Sequence, residues 1–388
     1  MISSHREGLA WAAALVVVAS ALALTDYRAR DADSVLYARI SNLLARRPLA
    51  EWIAPAWPPR SYGAGLFREH PAGLFWPAAA LARLGYPGLQ AAYAMNALYQ
   101  VACLVLLGRL AAVFVAETEA KALPVFLQLL PVAFVFRVRA NHEQAVLLFL
   151  LLALLGTEKA RTRPAFGALT AAGFAGMLLV KGVVALLGPL ACAAWLLARR
   201  REGPARSAWL SLGLGIVAMG VVAAAYESAY RSVTGVSFLS EYAARQIRSG
   251  APGPPSEAAA ALSVGLAWYA VRWLWFAFPW SLAALAAAGV TWRRRAFGRE
   301  SQGLAAALLI SAIYVALFSL GARRADRYIF PAYFTAGAAG AAAAMRRWPR
   351  LARVAGPPFA AQAVFLLAFF LHLGAGALGL PRIQLDAP

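Results

Sequence analysis

Apolar runs separated by short basic clusters make up most of this 388-residue chain. The runs fall at Leu9–Leu24 and at 72–84, 89–114, 121–137, 142–156, 165–180, 183–198, 207–226, 262–290, 302–321, 328–345 and 356–380. A straight span needs about 20 residues, so the shorter runs must be tilted, broken or re-entrant. The pattern predicts an all-α polytopic membrane protein with about 11–13 transmembrane helices. Leu9–Leu24, behind His5 and Arg6, is either the first span or a signal peptide with Ala21-Leu-Ala23 as its cleavage site. Since no secreted domain follows, the span is the preferred reading. Two polar stretches interrupt the pattern, Thr25–Pro71 and Glu227–Ala261. Within the first, Ala32–Leu44 reads as an amphipathic helix lying at the interface. The second ends in Gly250-Ala-Pro252-Gly-Pro254-Pro255, too rich in Pro and Gly for a helix. The whole chain, 1–388, reads as one transmembrane domain without a C-terminal soluble domain.

Composition sharpens this picture. Hydrophobic residues are 62% of the chain and charged residues 14%, against about 45–50% and 25% in soluble domains. A net charge of +20 invites a nucleic-acid reading, but the basic residues cluster between apolar runs, where topology explains them better. Lys159-Ala-Arg161-Thr-Arg163, Arg199–Arg201, Arg293–Arg295 and Arg346-Arg347 recur after every second run, which places all four in the cytoplasm. The N-terminus is then cytoplasmic too, and Thr25–Pro71, Asn141–Glu143, Lys181, Glu227–Ala261 and Arg323–Tyr328 are extracytoplasmic, on a cell inner membrane. One conflict remains: three apolar runs separate Pro71 from Asn141, an odd number, unless the short 72–84 run with Pro77 does not cross. Cys103 and Cys192 lie inside apolar runs and carry no disulfide or metal signal.

The charged residues in the extracytoplasmic loops are the candidates for chemistry. Thr25–Pro71 holds five carboxylates, seven arginines and one histidine. Asp33, four residues before Tyr37, is either a general base held at the surface or, with Asp31, a cap of the helix start. Glu69-His70, with Arg68 beside it, is either a divalent-cation or phosphate site or a polar turn; a lone Glu–His pair is a weak metal signal. Arg137-Val-Arg139-Ala-Asn141-His142-Glu143 is either an ordinary short loop or a polar wall, since charge at membrane depth tends to pair or face a cavity. Lys181, before Gly182, marks a tight hairpin and either snorkels or binds phosphate. Arg323, Arg324 and Arg327, before Tyr328, break the positive-inside trend. Either an anionic ligand or lipid head groups account for them.

In their order along the chain these pieces resemble the GT-C membrane glycosyltransferases, in the branch of protein O-mannosyltransferases and the lipid A aminoarabinose transferase. The resemblance rests on Asp33-Ser-Val-Leu-Tyr37-Ala-Arg-Ile, Glu51-Trp-Ile-Ala-Pro55, Phe67-Arg-Glu69-His70-Pro71-Ala-Gly, Asn141-His-Glu143 and Lys181-Gly182. It continues through Trp268-Tyr269, Phe278-Pro279-Trp280 and Arg327-Tyr328-Ile-Phe-Pro331, covering about residues 30–335. It implies sugar transfer from a polyprenyl-phosphate donor to a hydroxyl acceptor, with Asp33 as catalytic base and Glu69 as a metal-binding glutamate. Glu143 stands where the family often has Asp, and His70 where it has Lys. Tyr242, in Glu241-Tyr242-Ala-Ala-Arg245, stands nearest to a metal-binding His of the aminoarabinose transferase, which weakens the metal case. No organic cofactor is implied.

Elementary chemistry points the same way. A sugar phosphate needs its leaving phosphate neutralised and its acceptor deprotonated. Lys181, Arg245, Arg324 and Arg327 suit the first task, with His70 as helper and Tyr328 beside them, and Asp33 suits the second. The sequence therefore predicts an inverting glycosyltransferase in contact with membrane lipids and with no nucleic-acid partner. A secondary transporter or flippase of an anionic lipid-linked substrate is the alternative, and it would place polar groups near mid-bilayer. An inactive scaffold is a third reading, disfavoured by Asp33 and Glu69.

Overall fold

In a computed structural model of the chain, residues 32–353 are described, apart from 62, 129, 138, 203–204, 248–254, 295–297 and 322. Asp31 and the runs Leu9–Leu24 and 356–380 lie outside the described residues. The helices, in chain order, are α1 Ala32–Ala45, α2 Phe75–Arg83, α3 Gly88–Ala111, α4 Glu117–Leu127 and α5 Pro131–Arg137. Then come α6 Glu143–Ala160, α7 Gly167–Lys181, α8 Leu187–Ala198, α9 Arg206–Thr234 and α10 Phe238–Tyr242. The last are α11 Pro255–Phe276, α12 Trp280–Arg294, α13 Arg299–Ser319, α14 Phe330–Arg347 and α15 Arg350–Arg353. Among the described residues the only β pairing is one antiparallel bridge, Ala56 to Leu66.

Among the described residues, four helical runs are long and apolar enough to cross a membrane: Gly88–Ala111, Pro164–Ala198, Arg206–Thr234 and Ser301–Ser319. The pair Ala261–Phe276 and Trp280–Arg294, bent by 106°, adds a fifth if taken as one span. The chain is a multi-pass membrane protein. Other apolar runs are shorter as helices because proline divides them. In 121–137, Pro124 lies inside α4 and Pro131 opens α5, where its missing N–H costs least. The 72–84 run yields a 3₁₀ turn at Ala72–Leu74 and the nine residues of α2, about 14 Å for α2 at 1.5 Å per residue. α2 by itself is too short to cross a membrane.

The run Pro164–Ala198 doubles back at Lys181-Gly182. Lys181 pairs with Glu143 at the start of α6, whereas Arg199, just after α8, pairs with Glu158 near the end of α6. α7 and α8 therefore pass α6 in opposite directions, which is the hairpin expected from Lys181-Gly182. Small residues bring α6 and α7 close: a Cβ on Gly173 would lie 2.6 Å from the Phe149 carbonyl oxygen. In lipid such backbone approach is a main source of helix association.

One expectation changes in detail. α1 does not keep one wet face. It packs against α2 and α3, and Ser34, Leu36, Tyr37, Ala38, Ile40, Ser41 and Leu44 are all buried. The two serines find local acceptors and donors: Ser41 donates to the Tyr37 carbonyl at 2.9 Å, and Ser34 Oγ accepts from the Ala140 N–H at 2.9 Å.

Candidate active site

Several helix starts and ends meet at one end of the bundle around a cavity of about 280 Å³. α1 contributes Asp33 and Tyr37, one turn apart, and the loop before α2 contributes Glu69 and His70. Asn141, His142 and Glu143 come from the start of α6, Lys181 from the end of α7, and Tyr242 from the end of α10. Gln246, Arg323, Arg327 and Tyr328 complete the polar lining. The loops are fastened by hydrogen bonds. The Ser34–Ala140 bond joins α1 to the Asn141 loop, and the Ala72 N–H donates to the Tyr226 hydroxyl at 3.0 Å, fixing the turn after Pro71. Tyr226 itself donates to the Ile53 carbonyl at 3.1 Å.

The charges form two pairs at different depths. Lys181 Nζ donates to Glu143 Oε1 at 2.9 Å, with side-chain exposures of 9% and 1%. Arg327 donates to Asp33 Oδ2, and this pair is wetter, at 36% and 23% exposed. The Lys181 ammonium also lies 5.9 Å from the centre of the Tyr328 ring, within cation–π range, and that ring stacks on Phe318. The turn carrying Lys181 is held by Tyr242. Its hydroxyl accepts from the Val183 N–H at 2.9 Å and donates to the Lys181 carbonyl at 3.3 Å. Gly182, with φ +59°, passes so close under this hydroxyl that a Cβ would collide with it.

Two imidazoles form the cavity floor. The His70 and His142 rings are 4.3 Å apart, and Tyr37 meets His142 edge-on at 4.6 Å. Burial, then Lys181 and Arg327, push the His70 pKa down to about 3. Burial also lowers that of His142, with His70, Lys181 and Arg327 adding to the shift. Both rings are therefore neutral at physiological pH. Burial, with Asp33 nearby, raises the Glu69 pKa, against the pull of Arg245, Arg323 and Arg327. Several polar atoms here are buried without a partner among the described residues: Asn141 Oδ1 and Nδ2, His70 Nδ1, His142 Nε2 and Glu143 Oε2. Unmatched buried polar groups are costly, so the floor is built to receive a polar ligand or ordered water.

The cavity thus joins Asp33, Glu69, His70, His142, Glu143, Lys181, Tyr242, Arg327 and Tyr328. Three other residues singled out in the sequence turn elsewhere. Arg324 donates to the Ala261 carbonyl at 3.1 Å, and its neighbour Arg323 lines the cavity instead. Arg68 reaches the Tyr230 hydroxyl at 3.2 Å and Glu241 at 3.6 Å. Arg245 lies beside Glu241 at 3.5 Å, outside the lining, though its charge still acts on Glu69. Tyr37, Asn141 and Gln246 are lining residues whose side chains sequence reasoning gave no role. Gln246 lies four residues after Tyr242, and one helical turn of spacing was the available signal.

Among the described residues no group of three or more His, Cys, Asp or Glu has metal-binding geometry. Glu143 already holds the Lys181 ammonium, and the histidine pair faces Lys181 and Arg327.

A second cavity of about 290 Å³ adjoins the first. It is almost wholly apolar, runs past Pro71, Leu178, Leu186, Ala223 and Phe238, and shares Val183 and Tyr242 with the charged one.

Comparison with known proteins bears on this arrangement. Residues 69–226 match the family model for dolichyl-phosphate-mannose-protein mannosyltransferase. A search of curated protein sequences finds no match. ArnT from Cupriavidus metallidurans in the apo state superposes with a TM-score of 0.60 at 18% identity, over 88% of this chain and 62% of that one. ArnT from the same organism bound to undecaprenyl phosphate gives a TM-score of 0.66 at 15% identity, over 95% and 78%. The chain has the fold of these ArnT structures. It spans about three-fifths of the length of the apo ArnT chain. Within this fold, the matched segment 69–226 contains the Glu69-His70 turn, the start of α6 and the Lys181 hairpin, which are three walls of the charged cavity.

Proposed function

We propose that this protein is an inverting membrane glycosyltransferase, moving a sugar from a polyprenyl-phosphate donor to a hydroxyl acceptor on the extracytoplasmic face. The observation that carries the reading is a cavity lined by three carboxylates and three cations, adjoining an apolar one across Val183 and Tyr242. The groove suits an isoprenoid chain at membrane depth, and the cations suit its phosphate. An isoprenoid phosphate accompanies one of the matched ArnT structures, which supports the same donor class here.

In the proposed reaction the acceptor oxygen attacks the anomeric carbon as Asp33 takes the hydroxyl proton. The bond from that carbon to the phosphate oxygen breaks, and the electron pair leaves with polyprenyl phosphate. Lys181, Arg323 and Arg327 stabilise the charge growing on that oxygen. The neutral His70 and His142, with Asn141, present hydrogen-bonding groups to the sugar from the floor. These cations do the work without a divalent ion. The orientation follows from the basic clusters: Arg161, Arg199 and Arg346 lie at the end opposite the cavity, and lysine and arginine collect on the cytoplasmic side.

The test is transfer of labelled sugar from polyprenyl phosphate in membranes carrying wild type or Asp33→Asn. Loss of a positioned base costs on the order of 10²–10⁴ in rate, and polyprenyl phosphate binding should survive. Equal transfer by both would remove Asp33 as base. Movement of the lipid across the bilayer without any transfer would establish the flippase instead.

A further inference from the structure

In the structure the proposed base is not free: the Asp33 carboxylate is held by Arg327, one of the three cations facing the same cavity. We propose that Arg327 is a latch that holds Asp33 until donor phosphate arrives, then moves to the phosphate and releases the carboxylate to receive the acceptor's proton. This inference rests on the glycosyl-transfer reading of the site.

Depth decides which cation can move. Lys181 and Glu143 are almost fully buried, at 9% and 1%, and a buried pair is costly to break because a lone charge is left behind. Asp33 and Arg327, at 23% and 36%, sit where water can replace a lost partner and where ion pairs hold weakly. Arg327 also lies on a single short turn, Asp326–Ile329, between α13 and α14. Its neighbour Asp326 is tied separately, by Arg272 at 2.8 Å, so the backbone there stays anchored as the guanidinium swings. A guanidinium suits a phosphate as well as a carboxylate. The consequence is order: without donor the base is occupied, so water or an acceptor alone is not activated.

A latch makes a thermodynamic claim that can be read without turnover. If phosphate must take Arg327 from Asp33, then removing the Asp33 charge should tighten binding of polyprenyl monophosphate. The Kd of detergent-solubilised wild type, Asp33→Asn, Arg327→Gln and the double variant for that lipid can be measured by microscale thermophoresis. Asp33→Asn should bind about two- to fivefold more tightly, the range of a weak, part-exposed pair. In the Arg327→Gln background, where Lys181 and Arg323 still face the phosphate, the gain should vanish. Arg327→Lys, tested alongside, keeps a titratable affinity if Arg327→Gln binds too weakly, and there the gain should shrink. An unchanged or weaker Kd for Asp33→Asn overturns the latch. Equal tightening in every background also overturns it, because simple charge repulsion by Asp33 would explain that result. If wild type binds no polyprenyl phosphate at all, the donor reading falls and the latch with it.

Discussion

Lys181 and Glu143 share a space almost closed to water, and neither charge can lose the other cheaply. Lys181→Met leaves the Glu143 carboxylate alone beside one orphaned oxygen, a loss of about 3–5 kcal/mol for a broken buried pair. Lys181→Met with Glu143→Gln should recover most of that loss, as measured by thermal unfolding in detergent. An additive loss in the double variant would contradict the pairing. His70 makes a prediction of opposite kind, since burial favours its neutral form. Its pKa falls from an ordinary 6.5 to about 3, so between those values the unfolded chain binds a proton that the folded chain does not. Stability contributed by the neutral ring is complete above pH 6.5 and is lost as pH falls toward 3. The loss is about 1.4 kcal/mol per pH unit for one histidine. Comparing wild type with His70→Asn across this window isolates the slope, and identical slopes would contradict it. At this scale the sequence was informative where a charge stood alone in apolar surroundings, as at Lys181 and Glu143. It pointed to Arg324 where Arg323 lines the cavity, because adjacent residues in an irregular turn point apart and no periodicity assigns them.

At the scale of elements, the α7–α8 hairpin does the positioning. Gly182 takes a left-handed φ of +59°, and the Tyr242 hydroxyl fills the place of its missing Cβ. Gly182→Ala should therefore displace Tyr242, loosen the Lys181 turn and weaken donor binding more than Tyr242→Phe, which keeps the ring and loses only the two hydrogen bonds. Measured Kd for polyprenyl phosphate ranks the two variants, and the reverse ranking would contradict the close-approach argument. The hairpin was legible as a charge and a glycine between two apolar runs. The short reach of α2 was also foreshadowed, by Pro77 and the length of 72–84. The burial of α1 was not. Ser34 and Ser41 gave it a polar stripe, but both hydroxyls are satisfied internally and α2 and α3 cover that stripe.

Taken as a whole, the molecule separates two kinds of charge. At one end Arg199 pairs with both Glu158 and Glu202 around the α6–α8 ends, while the other end gathers carboxylates and cations that line a hollow. This polarity was readable from the alternation of basic clusters, but the convergence of residues 33, 69, 143, 181 and 327 required coordinates. The account uses no divalent ion, so a chelator should leave transfer unchanged. Loss of activity restored by zinc or manganese would contradict that. The most direct test is an electron cryomicroscopy map of the protein with polyprenyl phosphate bound. The account predicts phosphate density between Lys181 and Arg327, with the isoprenoid chain along the groove past Leu178, Leu186 and Phe238. Phosphate density away from that cavity, with Asp33 still closed on Arg327, would contradict it.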